Sequence, residues 1–173
     1  KALKQLNKNT KEQSLAGIAV TRFHAYLLAR IFGKKANEQI PLNMKKVSDL
    51  LKKNQIVFCG ALRWGAKQTS DGTSAELAAF LHAPFINLTN VRGIYTSNPK
   101  TNKNAKFIKK MSWKDFHEKA EKIKFHAGQH FVLDQDASRI IMQKKIPTYI
   151  TGSLTDIENI ISGKKFSGSL IEG

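Results

Sequence analysis

Two stretches of this sequence carry residue types able to hold or move an anion. The first runs from Gly60 to Thr73 and contains Gly65, Lys67, Thr69, Ser70, Asp71 and Gly72. It leaves the apolar run "QIVFCG" and enters a helical pattern, so its N–H groups and hydroxyls are placed to meet an anion at a helix N-terminus. Asp71 repels a bare phosphate there unless it orients a lysine or a metal. The plain alternative is N-capping, since "TSDGTSAE" offers Ser, Asp and Thr as caps, with Glu76 in the first turn. The second stretch is "TNVRGIYTSNPK". It presents Thr89 and Asn90 at the end of an apolar strand pattern, breaks at Gly93, offers the flat face of Tyr95 and turns at Asn98-Pro99.

Other chemistries lack their signatures. There is no GxxxxGK[ST], no GxGxxG and no GxSxG, and His24, His82, His117, His126 and His130 have no triad-like context. His126 and His130 are four apart, but Gly128 between them argues for a loop and no third ligand is evident, so no metal site is expected. Thr21-Arg22, inside an apolar run, marks either a ligand-facing turn or an arginine whose stem lies along apolar surface. The single cysteine, Cys59, excludes a disulfide framework and a multi-cysteine metal site, and makes a reducing, cytoplasmic setting the default expectation.

These residues need elements to position them. "SLAGIAVTRFHAYLLARIFGKK" spaces Leu15, Ile18, Ala19, Phe23, Tyr26, Leu27 and Ile31 as a helix with a wide buried stripe, stopped by Gly33. "NMKKVSDLLKKN" reads as a short amphipathic helix with Val47, Leu50 and Leu51 inward. "QIVFCG" has the pattern of a buried parallel strand. "SAELAAFLHA" follows as a small-residue helix, then "PFINLTNV" as a second buried strand. "SWKDFHEKAEKI" is a helix with Ser112 as N-cap and Asp115 three residues on. "DQDASRIIMQKK" is another helix, "IPTYIT" another strand, "TDIENIISG" a helix capped by Thr155 and closed by Gly163, and "SGSLIEG" a last short strand. Strands alternating with helices predict an α/β domain with a mostly parallel sheet, and ligands in such sheets bind at the carboxyl ends of the strands. Those ends are the loops after Gly60 and after Leu88.

In bulk, 173 residues suit one domain or a large part of one. A hydrophobic content of 41% with 24% charged residues reads as globular. No run is expected to approach a membrane span, and no secretory signal opens the chain. Lys and Arg number 29 against 13 Asp and Glu, a formal net charge of +16 that attracts polyanions. The lysines are scattered in pairs such as Lys34-Lys35, Lys52-Lys53 and Lys109-Lys110 rather than gathered in one patch, which favours solubility as the role of most of them.

In this order the pieces resemble the amino-acid kinase superfamily, and within it the uridylate (UMP) kinases, especially the archaeal type. The resemblance runs through "LAGIAVTRFHAYLLA", "VFCG" with its "TSD" loop, "AELAAFLHA", "INLTNVRGIYTSNPK", "AGQHFVLDQDASRIIMQKKIPTYITG" and "ISGKKFSGSLIE". It implies a three-layer α/β sandwich with a mostly parallel sheet, here lacking the N-terminal strands. On that reading residues 1–173 are the middle and C-terminal part of the domain: 1–60 the acceptor-side helices and strand, 61–173 the acceptor loop and ATP-binding half. The implied activity is transfer of the γ-phosphoryl group of ATP to UMP, giving UDP, with Mg²⁺, in pyrimidine nucleotide biosynthesis in the cytoplasm, by a homo-oligomer that is commonly a hexamer. By position, Asp71 matches an aspartate that organises catalytic lysines. Ser14, Thr69 and Ser70 match UMP-contacting positions, and Thr89, Asn90, Tyr95 and Asn98 match ATP-contacting ones.

The departures are specific. The family's "GGS" strand-loop with its lysine and its "GGG" loop followed by arginine are not in this sequence, so the resemblance implies that this segment alone lacks donors for the transferring phosphoryl group and does not catalyse. Arg92 stands where the family has an aspartate, Asn98 where it has another, and Ser14 where an acidic residue precedes the first helix. Ala61 replaces a glycine, and the loop after Gly60 is longer. The alternative is a divergent, non-catalytic nucleotide- or nucleic-acid-binding protein on the same fold.

Overall fold

The side-chain oxygen of Asn9 accepts the N–H of Glu12 at 2.9 Å and starts the first helix, α1, Thr10–Phe32. Gly33 ends it at φ +57°, a left-handed backbone that favours glycine. In the computed structural model, residues 9–62, 65, 69–122 and 132–173 are described. The chain divides into two units, Lys1–Thr73 and Ser74–Gly173.

In the first unit the apolar stripe expected on α1 is not the buried face. Phe23 is 58% exposed and Ile31 76%, with Leu15, Tyr26 and Leu27 also exposed, while Ala25 and Ala29 are buried. The reason is the close approach of residues 60–62. A Cβ on Gly60 would lie 2.5 Å from the backbone nitrogen of Arg22, so only glycine fits there. Ala61 donates its N–H to Thr21 Oγ1 at 3.0 Å, and Arg22 donates from Nε to Ala61 O at 2.9 Å and from Nη2 to Leu62 O at 3.2 Å. Thr21, Arg22, Ala25 and Ala29 share one helix face at i, i+4 spacing. The small and polar face is the one the chain covers. Lys11–Lys35 is also long and apolar enough to cross a membrane by length and composition, which corrects the expectation that no run approaches that size. The fastening of Arg22 to the main chain of Ala61 and Leu62 makes it a helix of the folded domain.

"QIVFCG" forms no regular strand. Among the described residues its only ladder contact is an isolated parallel bridge, Ala36 with Ile56. The buried side chain of Asn37 supplies the pairing instead: Oδ1 accepts Phe58 N–H at 2.7 Å, and Nδ2 donates to Phe58 O at 3.0 Å and to Gln39 O at 2.9 Å. An amide side chain thereby satisfies backbone groups that a neighbouring strand would have taken. Helix α2, Met44–Leu51, is capped by Asn43; Val47 is buried but Leu51 is exposed, against expectation.

Helix α3, Ser70–Phe80, leads into the second unit. There follow strands β1 (Phe85–Leu88), β2 (Ile94–Tyr95), β3 (Phe107–Ile108) and β4 (Lys110–Met111), then helices α4 (Trp113–Glu121) and α5 (Gln135–Lys144). Strand β5 (Thr148–Thr151), helix α6 (Leu154–Ile161) and strand β6 (Gly168–Ile171) complete it. One sheet has the order β1-β5-β6-β4, with β1–β5 and β4–β6 parallel and β5–β6 antiparallel, so it is mostly parallel. Strands β2 and β3 pair as a separate antiparallel ribbon. Ile94, Phe116, Leu133, Ala137, Ile141, Ile150 and Ile171 form the buried core of this unit. Ser112 caps α4 as expected, accepting Asp115 N–H at 3.1 Å and donating to its carboxylate at 2.7 Å. For α6 the cap position is Ser153, not Thr155, because the helix begins two residues earlier than its acidic and polar start suggested.

Buried Ser169 joins the two sheets. Its hydroxyl accepts the N–H of Ile94 at 2.8 Å and donates to Ile108 O, so one side chain of β6 holds both strands of the ribbon. This requires Gly93, whose added Cβ would lie 2.5 Å from Ser169 Oγ and 2.9 Å from Phe107 Cε2. Gly93→Ala is therefore expected to cost about 1–3 kcal/mol of stability in urea unfolding. Gly17→Ala, in the middle of α1 with nothing within 4 Å of its added Cβ, is expected to raise stability by about 0.5–1 kcal/mol.

Candidate functional site

The carboxyl end of β1 opens on a cavity of about 550 Å³. Thr89, Asn90, Tyr95 and Asn98 all line it, with an apolar surround that includes Leu88, Val91, Ile94, Pro99 and Val132. The sheet fixes one wall. Thr89 donates its N–H to Thr151 O at 2.8 Å, extending the β1–β5 ladder one residue past the strand. Gly152 lets the turn after β5 come close, since a Cβ there would lie 2.7 Å from Val91 O.

The ribbon fixes the other wall. Ile94 is held by Ser169, and Tyr95 pairs with Phe107, their rings edge to face at 5.5 Å. Arg92 is exposed at the surface, with its guanidinium 4.5 Å from the centroid of the Phe107 ring, a cation–π contact that ties the turn to β3. Beyond Tyr95, Thr96 N–H donates to Lys106 O at 2.9 Å and Thr96 Oγ1 accepts Lys106 N–H at 2.9 Å. Asn98 turns the chain: Oδ1 accepts Lys100 N–H at 2.9 Å and its carbonyl accepts Asn102 N–H at 2.9 Å, which leaves Nδ2 as its donor for a ligand. Lys119, from the last turn of α4, also lines the cavity and donates from Nζ to Thr96 O at 3.1 Å. Nothing in the residue pattern marks Lys119, because a helical lysine is by default a solvated one.

The remaining expected residues lie elsewhere. Thr69 is the N-cap of α3: its Oγ1 accepts Gly72 N–H at 3.0 Å, and its carbonyl accepts the Thr73 hydroxyl at 2.9 Å. Ser70 and the half-buried Asp71 stand in the first turn, where a carboxylate also meets the positive end of the helix dipole. Ser14 lies within α1, half-buried, rather than ahead of it. Arg22 donates from its guanidinium to the carbonyls of Ala61 and Leu62. Burial pushes the Cys59 thiol above its ordinary range, which keeps it protonated and poorly nucleophilic at neutral pH. Lys67, His126 and His130 lie outside the described residues.

A sequence model described as "Amino acid kinase family" matches residues 3–152. A uridylate kinase of Thermococcus kodakarensis is 32% identical over 174 residues, covering 99% of this chain and 76% of that protein. The crystal structure of uridylate kinase from Archaeoglobus fulgidus superposes with a TM-score of 0.86 at 30% identity, over 98% of this chain and 76% of its own. The structure of UMP kinase from Bacillus anthracis shares the fold at 21% identity, with a TM-score of 0.78 over 99% of this chain and 73% of its own. The chain belongs to the amino acid kinase family, an α/β fold with a mostly parallel sheet.

The geometry at α3 separates capping from ligand contact. Thr69→Ala is expected to lower stability by about 1 kcal/mol, and Thr69→Asn to restore most of it, as read by thermal unfolding.

Proposed function

We propose that the protein is a nucleoside monophosphate kinase that transfers the γ-phosphoryl group of ATP to UMP, releasing UDP and ADP. The observation that carries this is the cavity at the carboxyl end of β1, where Thr89, Asn90, Tyr95 and Asn98 meet beside apolar side chains. Strand ends of parallel sheets are where α/β folds bind ligands, and an aromatic face with neutral polar neighbours suits a purine nucleoside. The kinship with uridylate kinases supplies the acceptor.

In the reaction a phosphate oxygen of UMP displaces ADP from the γ-phosphorus, in line. The task of a protein here is positioning and neutralisation of spread charge rather than covalent chemistry. Tyr95 gives the adenine its stacking face; Thr89, Asn90 and Asn98 orient the nucleoside. Ser14, Thr69 and Ser70 are the residues assigned to UMP, and Asp71 to ordering lysines around the transferred group. The donors lining the cavity are hydroxyls, amides and one ammonium, and among the described residues no carboxylate lines it. No group of three His, Cys, Asp or Glu able to hold a metal is found among the described residues either. Mg²⁺ is usually held through one or two carboxylates. The described lining offers neutral oxygens but no carboxylate, so the proposal assigns the ion to no residue of this cavity. A hexamer, a cytoplasmic setting and a place in pyrimidine nucleotide synthesis accompany the proposal.

Calorimetric titration of the chain with ATP, UMP and single-stranded RNA tests it. Saturable binding of ATP and UMP is expected. Tight, steeply salt-dependent RNA binding with neither nucleotide bound overturns the proposal in favour of a non-catalytic binding protein. Tyr95→Ala is expected to weaken ATP about tenfold and leave UMP unchanged. In UMP-dependent turnover by a complete protein that also carries the phosphate-binding loops, Asp71→Asn is expected to lower kcat about 100-fold or more with nucleotide affinity within a few fold. Equal losses of binding, rate and stability would assign Asp71 to the helix start alone.

A further inference from the structure

Among the described residues lining the β1 cavity, Lys119 is the one charged side chain. It reaches the cavity from α4, whose Phe116 and Ala120 are buried in the core and fix the helix in place. Its ammonium donates to the carbonyl of Thr96, the residue next to Tyr95. That bond holds the cation at the residue next to Tyr95, on the wall of the same cavity. An ammonium has three N–H donors and no acceptor, so the bond to Thr96 leaves donors for a ligand. Leu88, Val91, Ile94 and Val132 line the same cavity.

We propose that Lys119 is the specificity-determining residue of the nucleobase seat, donating a hydrogen bond to a ring nitrogen of adenine. The inference rests on the nucleotide reading of this cavity. Adenine presents N1 as an acceptor. Guanine carries a hydrogen on N1 and an amino group beside it, so an ammonium aimed at N1 meets a donor and pairs only by shifting to O6. Lys119 thereby selects by rejection as well as by attraction. Its bond to Thr96 holds the ammonium before ligand arrives, which lowers the cost of ordering a long side chain on binding.

The test is equilibrium binding of ADP, GDP and adenosine to the chain and to Lys119→Met and Lys119→Arg, with thermal unfolding of each as a control for the fold. The chain is expected to prefer ADP to GDP about tenfold or more. Lys119→Met is expected to weaken ADP and adenosine in parallel by about tenfold while GDP changes less than twofold, with Lys119→Arg retaining most of the preference. Loss of ADP binding with adenosine unaffected assigns Lys119 to phosphate and overturns the inference. Equal weakening of all three ligands reduces Lys119 to a brace for Thr96 and overturns it as well, as does no change. If the unsubstituted chain binds no adenine nucleotide, the nucleotide reading of the cavity fails first; if it binds ADP and Lys119→Met binds it equally, only the role of Lys119 fails.

Discussion

The second unit depends on one close contact, between the bare backbone of Gly93 and the hydroxyl of Ser169. Ser169 is buried on β6, and its oxygen bonds both strands of the β2–β3 ribbon. A buried hydroxyl costs free energy unless its partners are supplied, and here donor and acceptor are both used. The ribbon is two residues long on each side and would not persist alone. Anchored to β6, it carries Tyr95 and Asn98 to the end of β1 and turns a sheet edge into a cavity. Any side chain at residue 93 would push the ribbon away and open that wall.

The rigidity is continued outward by aromatic contacts. Tyr95 meets Phe107 edge to face, and Arg92 covers the Phe107 ring. Arg92 occupies a position where the family resemblance leads one to expect an acid. Its cation–π seat gives it a structural task, so the loss of the acid leaves the ribbon supported. Lys119 completes the arrangement from α4 through Thr96. Three separate elements (β1, the ribbon and α4) thus converge on a single volume lined by both apolar and polar side chains.

Much of this could be read from residue order, and the limits are instructive. The strand patterns "FINL", "TYIT" and "GSLI" were legible because short β-branched and apolar runs between Gly, Pro and polar residues have few other uses. Ser112 as the cap of α4 was legible from its own side chain and Asp115. The buried face of α1 was not, because periodicity marks a helix while the choice of face depends on which backbone approaches it. Thr21 and Arg22 make that choice through hydrogen bonds to Ala61 and Leu62, 39 or 40 residues away in sequence. "QIVFCG" misled for a related reason: the side chain of Asn37 meets the backbone of Phe58 where a second strand was expected. At the cavity, Thr89, Asn90, Tyr95 and Asn98 are near neighbours in sequence and their convergence is local. Lys119 and Val132 arrive only through tertiary packing and carry no sequence signature.

The central claim is that the end of β1 and the β2–β3 ribbon form one nucleotide seat. Hydrogen–deuterium exchange with and without saturating ADP tests it most directly. The account predicts slowed exchange confined largely to residues 88–99 and the last turn of α4, including amides not already held in the β1–β5 ladder. Binding of ADP that leaves these segments unchanged and protects a different part of the chain would contradict it.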